Sequence, residues 1–322
     1  MKLSGIALAA LISVMPVASG AFASAVISSG NVQLGVDDYG QLNIYTPGNP
    51  STTGLTYTGL RHTTTGYEAT ADGCLCEGWG VGNGANTSDV GYANNATGSA
   101  GLSLVSFTST ASTATSVVNA GSSFQVTHEF GPSASADLMS VKVTITNTSA
   151  STVADVRYTR NMDWDIEPTA FSEFVTIGGS VGATAVLSTV DDGFGSSDPF
   201  SSHFPIVAGG TGDFTNLGPD DHGARFNFGF GALAAGESKT FEIFYGASDS
   251  TKTAFLALGA VGAEVYSLAN ANIRGTPGAE TFIFGFKGVG GTPIATPLPG
   301  AALLLMTGLG ALGALGRRRK AS

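Results

Sequence analysis

Short runs of alternating apolar and polar residues, broken by Gly, Asn, Asp and Ser, recur from residue 24 to about residue 290. A period of two puts every second side chain on one face, the mark of a half-buried strand. The clearest case is Ser140-Val141-Lys142-Val143-Thr144-Ile145-Thr146, with Val141, Val143 and Ile145 on one face. Turn formers follow in Asn147-Thr148-Ser149-Ala150-Ser151, and the run from Val153 to Asp165 is expected to be the partner strand. Residues 31–36 and 41–45 flank Asp37-Asp38-Tyr39-Gly40 and predict a hairpin. Further strands are predicted over 124–130, 171–177, 183–190, 224–230, 238–245 and 281–286, with Leu233-Ala234-Ala235-Gly236-Glu237-Ser238 as a tight approach to one of them. One helix is predicted from Ser250 to about Ala263. There Phe255, Leu256, Leu258 and Val261 fall near helical spacing behind an Asp249 or Ser250 N-cap.

Many short strands with Gly-rich turns and no strand–helix alternation point to an all-β fold. The body, residues 24–290, far exceeds the ~100 residues of a simple sandwich. The expectation is a large multi-stranded antiparallel sandwich, either supersandwich-like or two stacked sandwiches, with one short helix. The stretch 80–123 is rich in Gly, Asn, Ser and Thr, lacks Pro, and has room for long surface loops. Neither a linker nor an internal repeat divides the body.

Composition sharpens this picture. Charged residues make up 12% of the 322, about half the usual share, and Gly supplies 46, about twice the usual share. A coiled coil, a helical bundle and a charge-driven disordered chain are excluded. Net charge is −10, and five of the fourteen basic residues (Lys2, Arg317, Arg318, Arg319 and Lys320) sit at the ends. The body is therefore more acidic than the whole chain and repels a phosphate backbone, so no nucleic-acid partner is expected.

The two ends read as addresses. Residues 1–23 combine Lys2, an apolar run from Ile6 to Val17, and the small-residue exit Ala21-Phe22-Ala23, the three parts of a secretory signal cleaved after Ala23. At the other end Thr296-Pro297-Leu298-Pro299-Gly300 leads into an apolar stretch over 301–315, and Arg317-Arg318-Arg319-Lys320 follows. This segment, residues 291–322, is expected to form a transmembrane helix with its basic cluster in the cytoplasm and the body outside. The tripartite tail resembles the PEP-CTERM class of bacterial sorting signals, and most closely its VPLPA-CTERM variant. Thr296 and Gly300 depart from the first and last residues of that motif, while Pro297, Leu298 and Pro299 match it. The resemblance covers about the last 27 residues. It implies an exosortase-type membrane protease as partner, a Gram-negative host that makes an exopolysaccharide, and a destination at the cell surface or outside the cell.

Within the body, the only cysteines are Cys74 and Cys76, expected to pair in an oxidising compartment and pin a Gly-flanked loop. A redox or metal role is the alternative. Asp163-Trp164-Asp165-Ile166-Glu167-Pro168 is the main candidate site. If the strand continues through it, Asp163, Asp165 and Glu167 share a face that suits calcium, or sugar hydroxyls with Trp164 stacking nearby. The competing expectation is a strand end with solvated acids, Trp164 in the core, and Arg157 or Arg160 as ion partners. The acidic turns around Asp191-Asp192 and Asp198, and Asp220-Asp221-His222, are weaker calcium candidates. Gly178-Gly179-Ser180-Val181-Gly182 fits a nucleophile-elbow pattern, but a strand-like run follows where a helix is needed. The glycines at 78, 80, 82 and 84 lack the βαβ context of a phosphate loop.

Length, strand density and the Asp-Trp-Asp segment also resemble galactose-mutarotase-like sandwiches. That resemblance implies a carbohydrate-active enzyme as the alternative, in which His128, His203 or His222 would meet an acid in a cleft. The expectation that best accommodates both ends is an exported envelope or matrix protein without catalysis, anchored or processed at its C-terminus and binding polysaccharide, with calcium as the one cofactor the body suggests.

Overall fold

The computed structural model describes residues 24–295. The segment over 1–23 expected to direct export, the Pro297-Leu298-Pro299-Gly300 motif and the basic cluster lie outside the described residues. No helix among the described residues is long and apolar enough to cross a membrane.

The described chain is an all-β antiparallel sandwich with a single helix. One layer is a ten-stranded sheet. Its path runs Phe214–Asp220, Glu173–Gly178, Val265–Ile273, Thr281–Lys287, Ser238–Ser248, Leu138–Asn147, Phe124–Pro132, Ala114–Ala120 and Leu102–Ser109, with Thr276–Pro277 paired beside Val265–Ile273. The facing layer has five strands in the order Val186–Val190, Ala224–Leu233, Val153–Met162, Gly78–Asn83 and Asn86–Asn94. A small sheet of Ala25–Ser29, Val32–Val36 and Leu60–His62 packs against the Ser238–Ser248 strand.

Period-two patterning explains the layers. In Leu138–Asn147, Val141, Val143 and Ile145 are fully buried, while Lys142 faces outward and pairs with Glu129 on the next strand at 2.9 Å. Each such buried side chain contributes about 1.5–3 kcal/mol, while the exposed ion pair adds little. The inner faces meet through aromatic rings. Tyr158 lies 5.0 Å from Phe241 between centroids, and Phe286 lies 4.8 Å from Phe226 and 4.9 Å from Phe228. One core runs through both layers and the small sheet, so the body is one sandwich and not two stacked ones.

The helix spans Thr251–Val261, close to the predicted bounds. Ser250 caps it in a reciprocal capping box with Thr253, and Gly262 ends it at φ 69°, a left-handed conformation that glycine adopts without strain. Its Ala254, Leu258 and Val261 form a second small core with Phe244, Leu268 and Ile283 on the outer face of the large sheet.

Three local expectations are corrected. Val153–Met162 does not pair with the strand before it. The chain crosses layers at the 147–151 turn, and Val153–Met162 pairs instead with Gly78–Asn83 and Ala224–Leu233. Nor do 31–36 and 41–45 form a hairpin. Val32–Val36 pairs with Ala25–Ser29 and Leu60–His62, and Ile44–Tyr45 pairs with Tyr57–Thr58, leaving one bridge from Val36 to Leu42. Strand structure also stops at Met162 instead of Asp165. Alternation shows which residues belong to strands, but not which partner each one finds.

A polar knot sits inside this apolar interior. Arg160 is fully buried, and its Nε donates to Glu77 at 2.5 Å while Nη2 reaches the Gly40 carbonyl at 3.1 Å. Glu77 also accepts from the Tyr245 hydroxyl at 2.8 Å and the Leu42 amide at 2.6 Å. The knot therefore ties together both layers and the N-terminal segment. Burial works against the Arg160 charge, but Glu77 and the tyrosine hydroxyls outweigh it and hold its pKa above the usual arginine value.

Candidate functional site

At one end of the sandwich the chain leaves the five-stranded sheet after Met162 and runs irregularly through Asp163, Trp164, Asp165 and Ile166. Two glycines permit the crowding there. A Cβ on Gly193 would fall 2.7 Å from Asp163 Cα, and one on Gly223 would fall 2.1 Å from the Met162 carbonyl oxygen. Only Gly lets the loops that carry Asp191 and Asp221 come this close. On the large sheet, the register sets Glu173 opposite Asp220 and so brings Asp221 to the same end.

The result is a carboxylate cluster drawn from three chain segments. Oxygens of Asp163, Asp165 and Asp221 all lie within 4.8 Å of one another. Asp165 and Glu173 are fully buried, Asp163 nearly so, and Asp221 is half-buried. With the acids ionised, neither Asp165 oxygen finds a donor in the protein, and Asp163 Oδ1, Glu173 Oε2 and Asp221 Oδ1 lack one too. The other Glu173 oxygen accepts from the Ile166 amide at 3.1 Å. Among the described residues no Lys or Arg pairs with any of the four.

Without a cation the cluster must hold protons. Burial, reinforced by Asp165 and Asp221, pushes the Asp163 carboxyl well above its usual range. Burial likewise lifts Asp165 to about 8, against a hydrogen bond from Asp163. Glu173 rises to about 9, mainly by burial, and Asp221 is raised by burial and by Asp220.

The sequence-predicted residues divide here. Asp163 and Asp165 are brought together, but Glu167 turns away and serves as a structural acceptor for Ser51, Thr53 and the Glu68 amide. Trp164 is fully buried, with its indole N–H donating to Ser267 at 3.1 Å, so it cannot stack on a sugar. The arginines considered as ion partners are both engaged elsewhere, Arg157 with Asp155 at 2.6 Å and Arg160 with Glu77. Sequence reasoning missed Glu173, and it placed Asp221 in a separate turn. A third addition is Phe171, half-exposed at φ 71°. A Cβ on Gly73 would lie 2.4 Å from the Phe171 ring and 3.3 Å from Asp165 Oδ2, so ring and cluster adjoin.

Cys74 and Cys76 are disulfide-bonded beside this cluster, with Cα atoms 5.2 Å apart. Cys74 Sγ lies 3.0 Å from Asp163 Oδ2. A disulfide sulfur carries no proton, so this close contact is not a hydrogen bond donated by Cys74. Bonded sulfurs are not thiolate ligands, which removes the one soft-metal grouping among the described residues. So short a loop has little closure entropy to lose. The double variant Cys74→Ser/Cys76→Ser is expected to lose only about 1.5–2 kcal/mol in denaturant unfolding. A loss above about 4 kcal/mol would show that the bridge holds the core.

The remaining candidates are occupied by structural work. Asp191 accepts from the Ile206 and Val207 amides and from buried His222, and Asp192 accepts from the Phe194 and Gly195 amides. His203 joins Asp192 at 2.8 Å to Ser201 at 2.7 Å, within one loop whose Ser201 hydroxyl also reaches the Asp198 carbonyl at 2.6 Å. His128 is buried against Trp79, 4.7 Å between rings, and burial keeps its pKa well below the usual histidine value. His203 and His222 thus each meet an acid, Asp192 and Asp191, with His222 fully buried, while His128 reaches the Tyr158 hydroxyl. Ser180 of the elbow-like pattern hydrogen-bonds Asp213, not a histidine.

No family model matches the chain, and no curated protein sequence is similar to it. Solved structures similar over most of its length include the following two. A "Putative aldose 1-epimerase" from Escherichia coli K12 aligns over 86% of this chain and 95% of its own, at 11% identity and a TM-score of 0.31. The Slr1438 protein from Synechocystis sp. PCC 6803 aligns over 85% and 89%, at 6% identity and a TM-score of 0.28. Likenesses this distant carry no argument about the chemistry of this chain.

Proposed function

We propose that this is an exported envelope or matrix protein, directed outward by residues 1–23 and sorted through its C-terminal tail, with the β-sandwich as its non-catalytic extracytoplasmic body. The carrying observation is the three-part tail: Pro297-Leu298-Pro299-Gly300, the apolar stretch over 301–315, and Arg317-Arg318-Arg319-Lys320. Its partners on this reading are the export machinery, an exosortase-type protease, the bacterial membrane and extracellular polysaccharide. Two features of the body favour a binding role over catalysis. The histidines are committed to the core or to loop hydrogen bonds, and an exposed aromatic ring, Phe171, adjoins unpartnered carboxylates. Ring faces and carboxylates are the groups with which proteins hold sugar CH faces and hydroxyls.

Terminal-peptide mass spectrometry on protein from its native host, membranes and medium analysed separately, tests the reading. The expected N-terminus is Ser24, and the expected C-terminus falls between Thr296 and Gly300 in surface or medium fractions. An intact tail ending at Ser322 and confined to membranes would reduce the protein to a simple anchor and overturn the sorting reading.

A further inference from the structure

We infer that Asp163, Asp165 and Asp221, backed by Glu173, form a calcium site that closes the carboxylate end of the sandwich. This goes beyond the sorting proposal and is independent of it, since it rests on the geometry of the body and not on the tail.

Calcium binds oxygen at about 2.3–2.6 Å, so two ligands on one ion lie no more than about 5 Å apart. The three carboxylates meet that limit, all within 4.8 Å of one another. Proximity of acids is common on protein surfaces and would mean little by itself. What marks this cluster is burial without partners. With the acids ionised, fully buried Asp165 has no donor for either oxygen, and Asp163 Oδ1 and the buried Glu173 Oε2 lack one as well. Buried carboxylates are ordinarily paired or hydrogen-bonded because an isolated buried charge is costly. Neighbouring acids in the same structure obey that rule. Glu77 has Arg160, Tyr245 and an amide, and Asp191 has two amides and His222. The cluster departs from it with several acids together, and a divalent cation supplies the missing partner to several carboxylates at once.

The donor set selects the ion. All candidate ligands are carboxylate oxygens, and the adjacent cysteines are oxidised, which disfavours zinc and copper. Magnesium demands a small, regular octahedron and retains most of its water, whereas calcium accepts several protein carboxylates in irregular geometry. Asp221, half-buried, is the side from which an ion and its remaining waters enter.

The test is calcium titration of the purified, EDTA-treated full-length protein by calorimetry and thermal unfolding. One calcium per chain is expected, with Tm raised by about 5–10 °C at a hundredfold excess over Kd. Asp165→Asn and, separately, Asp221→Asn should lower affinity at least tenfold while the EDTA-treated variants unfold at or above the parent's Tm. The second variant, at a half-buried position, guards against failure of the first to fold. Absence of binding at millimolar calcium would overturn the inference, as would unchanged binding in both variants. An equal response to magnesium would overturn the choice of ion. None of these outcomes depends on whether the tail is cleaved.

Discussion

Glu77→Gln is expected to destabilise the protein by about 3–5 kcal/mol, the largest single-residue loss foreseen for a change of nearly constant volume. The reason is what the substitution leaves behind. Arg160 and Glu77 are both fully buried, and Arg160 Nη1 already lacks a hydrogen-bond partner. With Glu77 neutral, the guanidinium keeps the Gly40 carbonyl, the Tyr158 hydroxyl, the amide oxygen of the new side chain and the face of the Tyr245 ring, 5.7 Å from its centroid, but no opposing charge. An unpaired buried charge costs several kcal/mol, far more than the net worth of the intact pair. For a body of this size the loss corresponds to a Tm lower by roughly 6–20 °C. The double variant Glu77→Gln/Arg160→Met should recover much of it, because removing the charge as well abolishes the desolvation penalty. A Glu77→Gln protein that melts within about 2 °C of the parent would show that the pair does not hold the layers together.

The second large effect is a dependence on pH with the opposite sense to ordinary acid denaturation. In EDTA, stability is expected to fall as pH rises from about 4 to about 9. Asp163, Asp165, Glu173 and Asp221 all have folded-state pKa values above those of the unfolded chain, with Asp165 at about 8 and Glu173 at about 9. In this window the folded state binds more protons than the unfolded state, so the slope of unfolding free energy against pH is negative. Asp72, which also acts on Asp165, adds to the repulsion as charge accumulates. Contributions of opposite sign come from Asp89 and Asp192, whose pKa values are lowered. In both, burial raises the pKa, but hydrogen bonds from Ser122 and Ser123, or from His203, outweigh it. Their stabilisation is lost only as pH falls through their depressed pKa values, below the window in question, whereas His128, its pKa lowered by burial and by Arg160, opposes the trend below the ordinary histidine value. Urea melts at pH 5, 7 and 9 measure the slope. An unfolding free energy that is flat or rising across that range without divalent ions would show that the carboxylates are not buried together.

Much of the architecture could be read directly from residue order. Alternation in 138–147 and 224–233, with Val, Ile and Phe on one phase, marks strands because a pleated backbone allows only two faces. The helix was equally legible, since Ser250 and Gly262 carry its start and stop signals locally. The disulfide needed no tertiary information beyond the nearness of Cys74 and Cys76 and an oxidising destination. The addresses at the two ends are likewise sequence patterns, and they lie outside the described residues.

Pairing and the candidate site were decided elsewhere. Val153–Met162 carries the same alternation whichever strand lies beside it, and only the burial of Tyr158 against Phe241 across the sandwich places it in the second layer. The Asp-Trp-Asp segment allowed two readings, a continued strand with three acids on a single face or a strand end with Trp164 in the core. Leaving the sheet at Met162 sent Glu167 to the Ser51–Thr53 turn and Trp164 into the core, so the acids regrouped. Asp221 and Glu173 joined Asp163 and Asp165 from positions eight to fifty-eight residues away in the chain, through the register of a sheet edge and two glycines that admit close backbones. Local sequence determines which faces are apolar and where turns fall, because those depend on neighbours along the chain. Which carboxylates share a pocket depends on strand pairing and packing across layers, which only the folded structure fixes.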